Sequence, residues 1–108
     1  MDALEIKRGD SFDYGVNIPI EFADGHFVGW TVASQIRKKN SAGTLIDTFT
    51  TSWDDPLTTR KLRLLKIDTT AWPLGEAEFD VQFTRTSDSY RISTETATVV
   101  VVKDVTTP

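Results

Sequence analysis

The feature that most constrains this chain is a strict two-residue alternation near its amino terminus. Apolar side chains occupy every second position from residue 12 to residue 22, namely Phe12, Tyr14, Val16, Ile18, Ile20 and Phe22. Successive side chains of a β-strand point to opposite faces of a sheet, so this period predicts a long strand with one buried face. Pro19 lacks a backbone donor, which places that stretch at a sheet edge or at a bend between sheets.

Further segments of the same kind follow, separated by turn signals. The turn at residues 23–26 contains Asp24-Gly25, a strong reversal signal, and a strand follows it. Residues 30–37 alternate again, with Trp30, Val32 and Ile36 on one side. The remaining strands are predicted at residues 45–53, 61–67, 77–83 and 90–103.

These segments define the predicted fold class. Residues 69–72 are expected to form one short helical turn, because Asp68 or Thr69 can cap it and Pro73 and Gly75 prevent its extension. About seven strands without a long helix predict an all-β fold, an immunoglobulin-like antiparallel β-sandwich that forms a single domain over residues 1–108. A small closed barrel is the alternative.

Composition excludes several classes of partner and compartment. The chain has 12 Lys and Arg against 16 Asp and Glu, and nothing concentrates the positive charge for a phosphate backbone, so nucleic acid is not an expected partner. It has no cysteine, which excludes disulfides and thiolate metal sites and suits synthesis in a reducing cytoplasm. No apolar run is long enough for a signal peptide or membrane span, so we expect no membrane contact.

No residue pattern indicates catalysis, a metal or a cofactor. The one histidine, His26, lies in a predicted turn without a nucleophile pattern beside it. Asp54-Asp55-Pro56 is a turn sequence, and Glu76, Glu78 and Asp80 form the polar face of a strand. We therefore predict a protein that is not an enzyme, with no catalytic, cofactor-binding or metal-binding residue.

Three other features have a structural and a functional interpretation. Arg8-Gly9-Asp10 matches a tripeptide that some receptors recognise, but it more readily forms a turn in which Gly9 has a positive φ. Trp72 is expected to fill the open end of the sandwich, because aromatic residues dominate small cores. Trp53 lies near a turn, and either the core or a sugar-binding platform accounts for it.

The order of short motifs resembles a family of structural proteins. The motifs are Ile-Lys-Arg-Gly-Asp-Ser-Phe at residues 6–12, Gly-Trp-Thr-Val at 29–32, Gln-Ile-Arg at 35–37, Lys-Leu-Arg-Leu at 61–64, Asp-Thr-Thr-Ala-Trp-Pro-Leu-Gly at 68–75 and Phe-Asp-Val-Gln-Phe at 79–83. Together with Ser-Thr-Glu-Thr at residues 93–96 and Val-Lys-Asp-Val-Thr at 102–106, they resemble small proteins encoded in the tail regions of bacteriophages and prophages. The amino-terminal domain of phage baseplate upper proteins is similar.

The resemblance implies a virion component of the tail or baseplate, synthesised in the bacterial host cytoplasm. Its implied partners are other tail or virion proteins and further copies of itself, in a homo-oligomer. The alternative function is a carbohydrate-binding or adhesion module that uses Trp53.

Residues 99–102 are all valine, so this strand is apolar on both faces. A sandwich strand with one solvated face should alternate. Either a loop covers a central strand here, or Val99 and Val101 belong to an exposed assembly contact.

Overall fold

Two β-sheets packed face to face make up the structure, a computed structural model that describes residues 3–106. The first sheet contains β1 (Leu4–Lys7), β3 (Trp30–Lys38), β4 (Leu45–Thr48), β7 (Gly75–Arg85), β8 (Arg91–Ser93) and β9 (Ala97–Val102). The second sheet contains β2 (Phe12–Asn17), β5 (Thr50–Trp53) and β6 (Lys61–Lys66). The prediction of an all-β sandwich is therefore confirmed.

The order of the strands in the first sheet is β1-β9-β7-β3-β4, and β8 continues alongside β7 beyond the end of β9. The order in the second sheet is β2-β6-β5. One pair departs from the antiparallel arrangement, because β1 runs parallel to β9 with Leu4 opposite Val99. Strand β1 is followed along the chain by β2 in the opposite sheet.

One aromatic-rich core lies between the sheets. Phe12 of the second sheet stacks on Phe49 with ring centroids 4.9 Å apart and meets Phe79 of the first sheet edge-on at 5.7 Å. The buried apolar residues form a single cluster, comprising Phe12, Ile18, Phe27, Ile36, Phe49, Leu62, Leu64, Trp72, Ala77, Phe79, Val81, Phe83, Ala97, Val99 and Val101. The alternation predicted for β3 and β7 is confirmed by Ile36 and Phe79, which pair on the buried face.

The predicted strand over residues 12–22 was too long. Strand β2 ends at Asn17, and the chain turns at residues 19–22, where the backbone N–H of Phe22 donates to the carbonyl of Pro19 at 3.1 Å. Ile20, expected on the buried face, is 94% exposed as a result. The interpretation of Pro19 as a bend between sheets fits the structure, since β2 and β3 lie in different sheets and Asp24-Gly25 forms part of a crossover loop.

Two other predicted strands each divide in two. Residues 45–53 form β4 and β5, and the chain changes sheets at Phe49, whose N–H donates to the carbonyl of Ser34 at 2.9 Å. Residues 90–103 form β8 and β9, interrupted where Thr94 exchanges hydrogen bonds with Val81. Nine strands therefore replace the predicted seven within the described residues. Residues 69–72, predicted as a helical turn, form no helix but a single hydrogen-bonded turn in which the Trp72 N–H donates to the Thr69 carbonyl at 3.0 Å.

The strand directions give the sandwich two distinct ends. The lower end consists of the loops at residues 18–29, 54–60 and 86–90, and the upper end consists of the loops at residues 8–11, 39–44, 67–74 and 103–106. Strand β7 has 11 residues and at about 3.4 Å per residue spans about 37 Å. It therefore lies along the longest dimension of the 44 × 29 × 22 Å molecule, and the two ends are far apart.

Candidate functional site

The large apolar side chains that are exposed in the described residues lie at the two ends of the sandwich. Those at the lower end are Ile20, Val28, Leu57 and Tyr90, and those at the upper end are Leu45, Ile67, Leu74 and Val105. Exposed apolar groups that cluster on a soluble protein mark candidate interaction sites. The ends are therefore the candidate site, and the solvated outer faces of the sheets are not.

Arg60 fixes the lower-end turn that carries Ile20. Its guanidinium donates to the carbonyls of Ile18 at 2.6 Å and Pro19 at 2.8 Å, and also to the carbonyl of Phe22. A planar group with five donors suits this convergent set of carbonyls, and no other side chain offers that geometry. The same group meets the Asp24 carboxylate at 3.3 Å. Ile20 therefore projects into solvent from a turn whose backbone is held in place.

The loop at residues 54–60 packs against the same turn region. The N–H of Gly25 donates to the Thr58 carbonyl at 2.7 Å, and a Cβ at Gly25 would lie 3.0 Å from the Leu57 carbonyl and 3.8 Å from Val28. Gly25 also has a φ of +78°, a region that favours glycine. The close approach brings Leu57 and Val28 to the same part of the lower end.

The β7–β8 turn completes the lower end. Arg85 lies against the rings of Tyr90 at 5.0 Å and Trp30 at 5.6 Å, and it makes two hydrogen bonds to Asp88 at 2.7 and 2.9 Å. These bonds from Arg85, together with the Tyr90 N–H, lower the pKa of Asp88 to about 2. Ser89 takes the positive φ of +62° that this turn requires.

The upper end is tied together by Thr69. Its buried hydroxyl accepts a hydrogen bond from the Gly9 N–H at 2.9 Å and donates to the carbonyl of Asp10. Gly9 has a φ of +101°, so the interpretation of Arg8-Gly9-Asp10 as a turn is confirmed. The Ser11 hydroxyl donates to the carbonyl of Ile67 at 2.7 Å, which holds the backbone beside an exposed apolar side chain.

Trp72 closes the core beneath the upper end, as predicted. It is 1% exposed, and its indole Nε1–H donates to Asp47 Oδ2 at 3.0 Å. Partial burial of Asp47 opposes its ionisation, but hydrogen bonds from the Trp72 indole and the Thr48 N–H, with nearby Lys66, outweigh this and lower the pKa of Asp47 below its ordinary value. A charged carboxylate is thus held against the edge of the core.

The two ends differ in net charge. Counting the loops, the strand residues that border them and the carboxylates ion-paired with these, the upper end has six cationic and five acidic residues, a net charge of +1 (Lys7, Arg8, Lys38, Lys39, Lys66 and Lys103; Asp10, Asp47, Asp68, Glu76 and Asp104). The lower end has five carboxylates and four cationic residues, a net charge of −1 (Glu21, Asp24, Asp54, Asp55 and Asp88; Arg60, Lys61, Arg85 and Arg91). The sandwich therefore has an electrostatic polarity along its long axis.

The structure corrects the assembly contact proposed at Val99 and Val101. Both side chains are 0% and 2% exposed because they face the core between the two sheets, and β9 lies between β1 and β7 in the first sheet. They cannot contact another molecule without unfolding. Val100 and Val102 occupy the outer face and are half-buried. The valine run therefore marks a central strand of the first sheet.

Trp53, the candidate sugar platform, faces the interior. It pairs with buried Leu62 across β5 and β6, and its ring stacks near Phe27 at 6.1 Å and Phe83 at 6.2 Å. The ring is half-buried, so part of its surface is already taken by the core. His26 is exposed in its turn, as predicted, and contacts Phe22 with ring centroids 5.0 Å apart.

Two concave regions lie along the sheets, and the first reaches the lower end at Ile18, Pro19 and Phe22. An apolar cleft of about 490 Å³ opens between β2 and β8, lined by Tyr14, Val16 and Ile92 among others. A polar depression of about 340 Å³ on the outer face of the first sheet includes Arg37 and Glu78. The interpretation of Glu76, Glu78 and Asp80 as the polar side of a strand is consistent with their outward positions on β7.

Within residues 3–106, the acidic and histidine side chains form no group of three or more that could hold a metal ion. In the same part of the chain, no helix has the length and apolar character to span a membrane.

Sequence reasoning missed the residues that organise the lower end. Arg60 follows a threonine pair in a loop, and no local pattern indicates that it binds carbonyls some forty positions earlier in the chain. Ile20 was assigned to a buried face by the alternation. The Pro19 beside it was the one local signal that the strand stops there.

No protein-family model matches the chain, and no curated protein matches its sequence.

Proposed function

We infer that this protein is a non-enzymatic structural subunit of a phage virion, in the tail or baseplate, that acts through protein–protein contacts. Its partners under this proposal are other virion proteins and further copies of itself. It is synthesised in the host cytoplasm and resides in the particle. The sequence motifs at residues 6–12, 29–37 and 68–75 support the phage assignment.

The observation that carries the proposal is the confinement of exposed apolar side chains to structured ends. Ile20 is 94% and Leu57 79% exposed, yet both lie in loops fixed by hydrogen bonds from Arg60 and between Gly25 and Thr58. A contact surface that is already ordered loses little conformational entropy on binding. Rigid apolar ends on a small sandwich suit a protein whose task is to contact other proteins.

The adhesion alternative has weaker support. A sugar platform requires an accessible aromatic face, and Trp53 packs against Phe27 and Phe83 instead. The Trp53 side chain is only partly buried, but the residues that it contacts belong to the core. We therefore favour protein contacts over glycan contacts.

A particle experiment tests the function directly. Phage particles released from cells that carry the gene are purified on a density gradient and probed with an antibody against this chain. We expect the chain to be in the particle band in multiple copies, and we expect deletion of the gene to yield particles with incomplete tails. Complete and infective particles that lack the chain would contradict the proposal.

A matched pair of variants separates contact from folding in that experiment. Ile20→Asn combined with Leu57→Asn changes only exposed lower-end side chains, while Ala33→Asn combined with Ser52→Asn changes exposed side chains on the two outer sheet faces. Complementation of the deletion by the second variant but not by the first is the expected result. Equal complementation by both variants would show that the lower end is not the contact surface.

A further inference from the structure

The exposed apolar groups occur at opposite ends of one molecule and in equal number. Ile20, Leu57 and their neighbours lie at the lower end, and Ile67 (69% exposed), Leu74 and their neighbours lie at the upper end. Each end therefore has an apolar surface that a partner can cover. The identity of that partner follows from charge and area.

The charges of the two ends are complementary to each other. With ion-paired residues included at both ends, the upper end has a net charge of +1 and the lower end −1. Two upper ends would repel each other, whereas an upper and a lower end attract, and complementary charges fix the orientation of docking partners. The surface best matched to the lower end of one copy is thus the upper end of another.

The area of an end suits a stable contact. The long axis of 44 Å runs between the ends, so each end has a section of 29 × 22 Å, or about 640 Å². Complete coverage of this section on both partners would bury at most about 1,300 Å², which reaches the lower part of the range of about 1,200–2,000 Å² typical of specific interfaces. A contact confined to one loop would fall below it.

We propose that copies of this chain associate head to tail, with the lower end of one sandwich docked on the upper end of the next. This deepens the proposed function and rests on it, because it identifies the self-contact of the virion subunit. Such a contact joins two different surfaces, so it closes into a ring or continues as a filament according to the rotation between copies.

Two blocked variants test the orientation of the contact. The lower end is blocked by Ile20→Asn with Leu57→Asn, and the upper end by Ile67→Asn with Leu74→Asn. Asparagine removes apolar surface without changing net charge, so the electrostatic match is kept. Ala33→Asn with Ser52→Asn is the control, since these side chains are exposed on the outer sheet faces.

Sedimentation velocity over a range of concentrations gives the mass of each protein. We expect the wild type and the control to form species larger than a dimer, and each blocked variant to be monomeric. An equimolar mixture of the two blocked variants should form a dimer and nothing larger, because one copy retains a functional upper end and the other a functional lower end. Circular dichroism and urea midpoints confirm that all variants are folded.

Other outcomes overturn the head-to-tail contact. A mixture that stays monomeric would show that the two ends do not bind each other, and blocked variants that assemble as the wild type does would show that the ends are not involved. A wild type that is monomeric at all concentrations also overturns it, whereas the virion assignment is then still decided by the particle experiment.

Discussion

The indole of Trp72 and the carboxylate of Asp47 form a hydrogen bond of 3.0 Å between a core side chain and the edge of the first sheet. Replacing Asp47 with alanine leaves a buried indole donor without its partner. An unsatisfied buried polar group costs about 1–3 kcal/mol, so we expect the free energy of unfolding to fall by that amount. Urea denaturation followed by tryptophan fluorescence measures it.

The control for that substitution is Asp47→Asn. Asparagine retains a carbonyl oxygen that can accept from the indole but removes the charge, so its effect should be the smaller of the two. An Asp47→Ala variant as stable as the wild type would show that the Trp72 hydrogen bond contributes nothing.

The stability of the protein should fall on acidification below about pH 4. The pKa of Asp88 is lowered to about 2 by Arg85, and that of Asp47 is lowered below 3.8. A carboxyl whose folded pKa is depressed stabilises the fold fully above its unfolded pKa, and this stabilisation is lost as pH falls towards the folded pKa. Urea midpoints at pH 6, 4 and 2.5 should decrease in that order, and the decrease should be smaller in Asp47→Asn. Midpoints that do not change over this range would contradict the prediction.

We expect Arg60 to be needed to keep the lower-end turn at residues 18–24 ordered. In Arg60→Ala, the carbonyls of Ile18, Pro19 and Phe22 lose their donor, so we expect a loss of about 2–3 kcal/mol because hydrogen bonds to a charged group are involved. Hydrogen exchange at residues 18–24 should accelerate more than in the distant loop at residues 67–74. Arg60→Lys should not restore protection, because an ammonium lacks the planar fork. Unchanged exchange at residues 18–24 would refute the role of Arg60.

Substitution with alanine should have opposite effects on stability at Gly9 and Gly15. Gly9 has a φ of +101°, so Gly9→Ala is expected to cost about 1–2 kcal/mol in backbone strain. Gly15 lies within β2, and its added Cβ would meet only the flexible Lys61 side chain at 2.8 Å from Cε. Since glycine weakens a strand by about 0.5–1 kcal/mol relative to alanine, Gly15→Ala should be neutral or stabilising once Lys61 moves. Thermal denaturation compares the two, and an equal loss in both would contradict the strain argument.

Val99→Ala should weaken folding but not assembly. Val99 is fully buried between β1 and β7, so truncation is expected to cost about 2–3 kcal/mol through lost apolar burial and a cavity. The mass in light scattering under native conditions should match that of the wild type. A change in assembled mass without a change in stability would restore the interface interpretation of Val99.

The fold class was predictable because it depends on the two-residue alternation of apolar side chains within each segment. Alternation in residues 30–37 and 77–83 was enough to identify β3 and β7, and their pairing on the buried face follows from it. Residues 12–22 show the limit of that reasoning. The alternation continues to Phe22, but the strand ends at Asn17, since Pro19 has no N–H to continue the ladder and Arg60 holds the carbonyls of Ile18 and Pro19 in a turn.

The candidate site was hardly predictable for a related reason. Val99 and Val101 are alternate members of an apolar run, and sequence alone does not tell whether one face of such a run is covered by the opposite sheet or by another molecule. Their burial depends on β1 pairing in parallel with β9, a contact between residues almost a hundred positions apart.

The sequence by itself determined that the chain forms strands with one apolar face, that its acidic pairs and Arg8-Gly9-Asp10 belong to turns or solvated faces, and that Trp72 belongs to the core. These properties depend on side-chain period and turn chemistry, which are local. Only the tertiary structure decided which apolar residues are exposed and that they lie at opposite ends of unlike charge. Exposure depends on which distant segments pack together, and that is fixed when the two sheets close over one core.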